Sequence, residues 1–290
     1  MENKLFRVNN FKIVGKLVSA DVKKGFDKSG KSYVSTNAVI QNEVDGKLNT
    51  FEVNFYSGEM TRDNKVSQLY TKYVSLPELI NKKVEVIGEL KENRYWSSNL
   101  GQIVGSQQLS GRFVNGVLDT VADVAEFEIG GFVVKELQEK VSKKDNSVYR
   151  YDVVIGQSNY NGDGMTAYTL HVNPTDVEIV RGVKSYEAGM TVKVKGKLSF
   201  IETVSVVEDE NKGFGESMAR TFVNKQKNFF ITAGSNPIQD ETRYDGATIS
   251  ALVNAYKAND AQLMTVASSN TTSAPTTSTA PITQRQTSLI

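Results

Sequence analysis

The stretch VEVIGEL, residues 84–90, returns as VKVKGKL at residues 192–198, 108 positions later (84 to 192). Both copies follow the pattern V-x-V-x-G-x-L, which alternates like a strand and carries a glycine in its middle. A second pair, FKIVGKL at residues 11–17 and FEIGGFV at residues 127–133, is separated by 116 positions (11 to 127). Two patterns in the same order at nearly the same spacing predict a duplicated domain.

Hydrophobic alternation predicts strands at residues 12–24, 32–41 and 50–56, then a helix, then strands at 83–95 and 102–114. The helix is indicated by Val66, Leu69, Tyr70 and Tyr73, which fall at i, i+3, i+4 and i+7. Asp63 is its predicted N-cap. Pro77 follows soon after, so the predicted helix is short.

The second copy repeats the series with strands at residues 127–137, 149–155, 166–172 and 191–200. A capping box formed by Thr175 and Glu178 is predicted to open its short helix. Phe229, Phe230 and Ile231 are predicted to form the closing strand. Three strands, a helix and two strands therefore occur twice in the chain.

This order of elements resembles the OB-fold, a five-stranded Greek-key barrel with a helix between strands three and four. Small barrels close only if strands bend sharply, and Gly15, Gly88, Gly131 and Gly196 stand where such bends are needed. The sequence thus predicts an all-β protein with minor helices, built as two tandem OB-fold barrels. A pair of small β-sandwich domains is the alternative.

Composition excludes several classes of function. The chain of 290 residues has no cysteine, which excludes disulfides, zinc–thiolate sites and thiol catalysis. It shows no phosphate-binding loop, no metalloprotease motif and no nucleophile elbow, so we predict a protein that is not an enzyme and uses no cofactor or metal. No apolar stretch is long enough to span a membrane, and a soluble cytoplasmic protein, in the host cell if viral, is expected.

The lysine-rich loop between the first two strands suggests a nucleic-acid interface. Net charge is only +1, but Lys24 and Lys31 flank Phe26 in this loop. OB-fold barrels hold single strands through cations that follow phosphates and aromatic rings that stack on bases. Tyr56, on the polar side of strand three, and the run Arg94-Tyr95-Trp96 after strand four supply further rings and charge. The alternatives are a solvated lysine-rich surface, a lone exposed Tyr56 and a Trp96 that packs as a lid.

The second copy carries a weaker signal of the same kind. Its first loop contains Lys143 and Lys144 but also acidic residues, and it lacks an aromatic side chain. His171 is predicted on the outward side of strand three, either touching a base or phosphate or as a lone surface histidine.

Over residues 5–238 the chain resembles single-stranded DNA-binding proteins of the phage and plasmid type, which have two barrels. The resemblance implies coating of exposed single strands in replication or recombination, without strong sequence preference. It assigns strand contacts in the first copy to Lys12, Lys16, Lys31, Tyr56, Arg94, Tyr95 and Trp96, and in the second copy to Lys143, Lys144 and Arg150. A structural or virion assembly protein and a single-stranded RNA-binding protein remain alternatives.

The predicted domains are residues 1–118, residues 119–238, a helical segment at 239–266 and a disordered Ser/Thr/Pro-rich tail at 267–290. The chain ends in an apolar tip that contains Leu289 and Ile290. This tip is either a hook for replication or recombination proteins or a plain disordered end, and oligomeric state stays open.

Overall fold

A computed structural model describes residues 5–207 and 220–271 of the protein. Within these ranges the chain forms two closed five-stranded barrels and three α-helices. The first barrel consists of β1 (Val8–Phe26), β2 (Ser32–Val44), β3 (Lys47–Gly58), β4 (Lys83–Ser97) and β5 (Gln102–Gly116). The second consists of β6 (Val124–Val141), β7 (Val148–Ser158), β8 (Met165–Val172), β9 (Thr191–Val207) and β10 (Arg220–Gly234).

Both barrels close in the same order. In the first, β1 pairs with β2, β2 with β3, β3 with β5, β5 with β4, and β4 again with β1. The β3–β5 pairing is parallel and the others are antiparallel. The second barrel repeats this arrangement with a parallel β8–β10 pairing. The tandem OB-fold prediction is therefore confirmed, and the alternative of two β-sandwiches is excluded.

The short helices follow the predicted order but begin elsewhere. In α1 (Gln68–Val74) the N-cap is Ser67, whose side chain accepts a hydrogen bond from the backbone N–H of Tyr70, so the prediction of Asp63 was wrong. The reason is a bridge between Met60 and Val66, which holds the preceding residues in a hairpin-like turn. A 3-10 turn, Leu76–Leu79, follows α1.

The second barrel carries α2 (Val177–Lys184), whose N-cap is Asp176. No side-chain cap is formed there, so the predicted capping box of Thr175 and Glu178 is not present. The last element is α3 (Gly246–Thr271). No helix in the described ranges has both the length and the apolar character needed to cross a lipid bilayer.

The repeated mid-strand glycines have a steric cause. A Cβ on Gly88 would lie 2.2 Å from the carbonyl oxygen of Ser110 and 2.7 Å from the ring of Phe11. A Cβ on Gly196 would lie 2.1 Å from the carbonyl oxygen of Phe230 and 2.5 Å from the ring of Phe127. In each barrel the fourth strand thus passes directly over a buried phenylalanine of the first, and only glycine fits.

The barrels are joined by an antiparallel pairing of β1 with β6. Its central pair is Phe11 and Phe127, which are equivalent residues of the two copies. Because equivalent residues meet, the seam has local two-fold symmetry, like an isologous dimer interface inside one chain.

Two buried amides hold this seam at symmetric positions. The Asn42 side chain donates to the carbonyls of Val14 (3.0 Å) and Val124 (2.8 Å). The Gln157 side chain donates to the carbonyls of Val8 and Gly130, both at 2.7 Å. Each amide therefore binds one carbonyl from each barrel.

Each barrel also reaches over the other with its last hairpin. From the first barrel, Gln107 on β5 donates to the carbonyl of Thr169 on β8 at 3.2 Å. From the second barrel, Lys225 on β10 forms an ion pair with Glu52 on β3 at 2.6 Å. The ring of Phe200 on β9 also lies 5.2 Å from that of Phe51.

Candidate nucleic-acid interface

The outer surface of β2 and β3 is the polar side of the first barrel. Alternation sends Thr36, Ala38 and Ile40 into the core and the residues between them outward. The same holds for β3, where Phe51, Val53 and Phe55 are buried. We call this outer surface the first face; it comprises Tyr33, Ser35, Asn37, Thr50, Glu52, Asn54 and Tyr56.

Two tyrosines lie together on the first face. The ring centroids of Tyr33 and Tyr56 are 5.3 Å apart with the planes tilted by 31°, and Tyr56 is 61% exposed. Tyr33 lies over Gly25, where a Cβ would come within 2.9 Å of the tyrosine hydroxyl oxygen. The glycine therefore leaves room for the ring, and the pair offers a flat platform to solvent.

The β1–β2 hairpin next to this platform carries the positive charge. Lys24 pairs with Val34, which places Lys24 and Phe26 on the opposite side of the hairpin from Tyr33. Phe26 is 76% exposed, and Lys31 is exposed in the turn. In the described residues neither Lys24 nor Lys31 forms an ion pair with a carboxylate. Both remain available to a phosphate.

Two further predicted contacts of the first barrel lie apart from one another. Lys16 is exposed at the other end of the first face, paired with Gln41. Lys12 lies between β4 and β6 near the seam and forms an ion pair with Glu85 at 2.6 Å. The structure therefore places Lys16 next to the first face and Lys12 away from it.

The run Arg94-Tyr95-Trp96 lies at the end of β4 and divides between its two sides. Arg94 is only 14% exposed; it forms an ion pair with Asp260 of α3 at 2.5 Å and lies 3.8 Å from the ring centroid of Tyr256. Tyr95 projects from the opposite side of the strand and is exposed. Trp96 is half-buried on the same side as Arg94, which faces α3.

The corresponding outer surface of the second barrel is partly covered. We call it the second face; it comprises Val154 of β7 and Met165, Ala167, Thr169 and His171 of β8. The helix α3 and the β4–β5 hairpin lie over it. A cleft of about 670 Å³ remains between these three parts, and Arg94, His171 and Lys227 are among the residues that line it.

His171 lies on the outward side of β8 as predicted, but it is only 6% exposed and is not a surface histidine. Its Nδ1 is 2.9 Å from a carboxylate oxygen of Asp152, and Arg150 lies 2.8 Å from the same carboxylate. Burial raises the pKa of Asp152, but the hydrogen bond with His171 and the charge of Arg150 outweigh it and leave that pKa below its ordinary value. The structure thus brings Arg150 and His171 together around one carboxylate.

The remaining predicted residues are placed as follows. Lys143 and Lys144 are exposed in the turn between β6 and β7. Leu289 and Ile290 lie outside the described residues, so their partner-binding role stays a prediction. Within the part of the chain that is described, no three histidine, aspartate or glutamate side chains cluster as a metal site requires.

Sequence reasoning did not select Tyr33 as a site residue. Its outward direction follows from alternation along β2, which the sequence shows. Its proximity to Tyr56 depends on the β2–β3 register, in which Ser35 pairs with Tyr56 and Tyr33 with Gly58. The cover formed by α3 left no signal in the sequence, because its contacts join distant residues, more than 160 positions apart for the polar contacts with Glu92 and Arg94.

Comparisons with known proteins agree with this architecture. A family model described as YorF matches residues 7–264. The single-stranded DNA-binding protein from Thermus aquaticus superimposes with a TM-score of 0.51 at 11% identity, over 83% of this chain and 98% of that chain. A deletion variant of the same protein gives 0.47 at 12% identity, over 81% and 96%. No curated protein sequence matches the chain. At such low identity the likeness shows a shared fold.

Proposed function

This chain belongs to the YorF family, and we propose that it binds and coats single-stranded DNA without strong sequence preference. Bases stack on the aromatic rings of the first face, and lysines of the β1–β2 hairpin contact the phosphates. The proposed setting is the cytoplasm, where replication or recombination exposes single strands. No catalytic step is part of the proposal.

The observation that carries this proposal is the exposed Tyr33–Tyr56 pair on a closed OB-fold barrel. Every base has a flat π-face, so stacking on a tyrosine is tolerant of sequence and contributes roughly 1–3 kcal/mol per base. The two rings lie 5.3 Å apart, close enough to be contacted by neighbouring bases of one strand. No buried side chain has to move for a base to reach Tyr56.

The charges around the platform suit a polyanion. Lys16 lies next to the first face, Lys31 lies in the turn of the adjacent β1–β2 hairpin, and Lys24 lies on the other side of that hairpin. The one carboxylate of the first face, Glu52, is paired with Lys225. The hydrogen bond from Lys225 lowers the pKa of Glu52, so this pair persists at neutral pH. Phosphate binding by the lysines releases condensed counterions, and binding should therefore weaken as salt concentration rises.

The test is titration of a fluorescent oligo-dT with the purified chain at low salt. Replacing Tyr33 or Tyr56 by alanine should weaken binding between about 5- and 150-fold, the equivalent of one lost stacking contact. The matched control is Tyr160→Ala, because Tyr160 is 92% exposed and lies in the turn between β7 and β8, far from the first face. The control should bind like the unaltered chain.

Three outcomes would redirect the proposal. Absence of oligo-dT binding by the unaltered chain at low salt would refute it, and self-assembly without binding would favour a structural or assembly protein. Equal or tighter binding of a matched oligo-U would favour the RNA alternative. Binding that is unchanged in the Tyr33→Ala/Tyr56→Ala double variant would move the site away from the first face.

A further inference from the structure

The helix α3 is held over the second face by few apolar contacts. Among its described side chains, residues 246–265, only Leu252 is buried. Leu252 belongs to a small cluster with Phe132 and Tyr244. Ile249 and Val253 of α3 also pack against this cluster, together with Val134 and Met165, but they are only partly buried. Segments with so little buried apolar surface open at a low free-energy cost compared with the core.

Four polar side chains complete the attachment of α3, and we call them the latch: Glu92, Arg94, Tyr256 and Asp260. The Tyr256 hydroxyl donates to Glu92 at 2.5 Å, and Asp260 forms the ion pair with Arg94. Burial and the nearby Glu92 raise the pKa of Tyr256, so its hydroxyl stays a donor. Glu92 and Arg94 belong to the first barrel, so the latch ties α3 to the β4–β5 hairpin.

The contact between α3 and the second face is incomplete. A cleft of about 670 Å³ that is open to solvent lies under α3, so the helix does not seal the second face. Lys135, His171, Lys227 and Lys257 are among its lining residues. The Nη1 of Arg94 is buried and has no hydrogen-bond acceptor among the described residues. Two carboxylates, Glu92 and Asp260, also line the cleft, and they are held by Tyr256 and Arg94. The remaining lysines of the lining are donors for an anion.

The cleft adjoins the first face at Lys227. Lys227 lines the cleft, and its Nζ lies 4.0 Å from a carboxylate oxygen of Glu52 on the first face. Lys225, two residues earlier on β10, contacts the same carboxylate. A strand bound to the first face thus meets these two lysines before it reaches the second face.

We propose that α3 is a displaceable cover of a second single-stranded DNA site, and that a bound strand opens it. This inference rests on the proposed function. A phosphate takes the place of the Asp260 carboxylate at Arg94, the latch opens, and α3 leaves the second face. A short oligomer then occupies the first face with α3 in place, whereas a longer one extends past Lys227 and displaces the helix.

Hydrogen exchange on the full-length chain tests the movement directly. With saturating long oligo-dT, amides of α3 should exchange at least about tenfold faster, because the bound strand shifts the population toward the open state. Amides of β8 should exchange more slowly as DNA replaces the cover. Trp96 is the only tryptophan and lies on the side of β4 that faces α3, so its fluorescence should change with the long oligomer.

A full-length latch variant, Tyr256→Phe with Asp260→Asn, tests the coupling. It should bind long oligo-dT about three- to tenfold more tightly, since less of the binding free energy is used to open the latch. Binding of an oligomer of about four to eight nucleotides, the span of one barrel, should be unchanged. The matched control is Tyr160→Phe with Glu241→Gln, which removes the same hydroxyl and charge at exposed positions away from the latch.

The outcomes separate this inference from the proposed function. If no oligo-dT binds at all, the proposed function fails. If oligo-dT binds through Tyr33 and Tyr56 but hydrogen exchange in α3 is unchanged or slower, α3 is not a displaceable cover. The proposed function then still holds. Equal affinities of the latch variant and its control for the long oligomer would likewise refute the displacement of α3.

Discussion

The two barrels share one scaffold and differ in what lies over their outer surfaces. Both close in the same strand order, and in both a glycine of the fourth strand crosses a buried phenylalanine of the first. The first face is open around the Tyr33–Tyr56 pair, and the β9–β10 hairpin contacts it at Glu52. The second face lies under α3. Duplication thus preserved the interior, where packing restricts change, while the outer surfaces diverged.

The side chains of the two faces explain the difference in cover. The second face carries an apolar patch of Val154, Met165 and Ala167, whereas the first face carries the Tyr33–Tyr56 pair. An exposed apolar surface favours association, and here the apolar residues of α3 bury the patch within the chain. The flat surface of a nucleobase could bury the same patch, as the proposed displacement of α3 by DNA requires.

The largest expected effect tests whether the two scaffolds are equally packed. Gly88→Ala and Gly196→Ala each place a Cβ within 2.2 Å of a backbone oxygen, and each should destabilise the chain by about 3 kcal/mol or more. Because the barrels share the β1–β6 seam, the chain should unfold in one cooperative transition. Both variants should lower the urea concentration at the midpoint of that transition. Two separate transitions, each affected by one variant, would show that the barrels unfold independently.

Gly182 in α2 offers the control for these substitutions. Nothing lies within 4 Å of a Cβ built there, so Gly182→Ala should leave the fold intact and raise stability by about 0.5–1 kcal/mol through helix propensity.

A smaller loss of stability is expected at the β1–β6 seam. Because the seam is symmetric, we expect the same loss for the Asn42 and Gln157 variants. Asn42→Leu and Gln157→Met each remove an amide that serves two carbonyls, and each should cost about 1–3 kcal/mol in urea unfolding. Asn54→Leu, at an exposed position of the first face, should change stability by less than about 0.5 kcal/mol. A cost confined to one of the two amides would contradict the symmetric seam.

The smallest expected effect is a difference in the salt dependence of DNA binding between lysines of the β1–β2 hairpin and lysines of the β6–β7 hairpin. With a short oligo-dT, Lys24→Ala/Lys31→Ala should reduce the slope of log affinity against log salt by about 0.7 per lysine. The matched pair Lys143→Ala/Lys144→Ala, in the equivalent hairpin of the second barrel, should leave the slope unchanged. Equal losses in both pairs would mean that the covered barrel also holds the short strand.

Much of the architecture was accessible from local patterns. Alternation located the strands of both copies, because a strand with one buried side repeats every two residues. The repeated glycines predicted the bends that close the barrels. The predictions of an N-cap at Asp63 and a capping box at Thr175 were wrong. The residues before each helix form other local hydrogen bonds, and a short sequence pattern does not show which of the competing bonds is preferred.

The candidate site was less accessible. Tyr56 was selected for its outward position, but its partner Tyr33 depends on strand register. Arg94 was selected as a cation near a predicted loop, and His171 was selected for its outward position on a strand. The structure holds Arg94 against Asp260 and His171 against Asp152, pairings that no local pattern contains.

The sequence by itself determined that this protein is a duplicated barrel, since periodicity, glycine position and the repeat are properties of neighbouring residues along the chain. Only the tertiary structure decided which outer surface is open and which is covered. Exposure depends on contacts between residues far apart in sequence, such as Tyr256 with Glu92, and those contacts exist only once both barrels and α3 have come together.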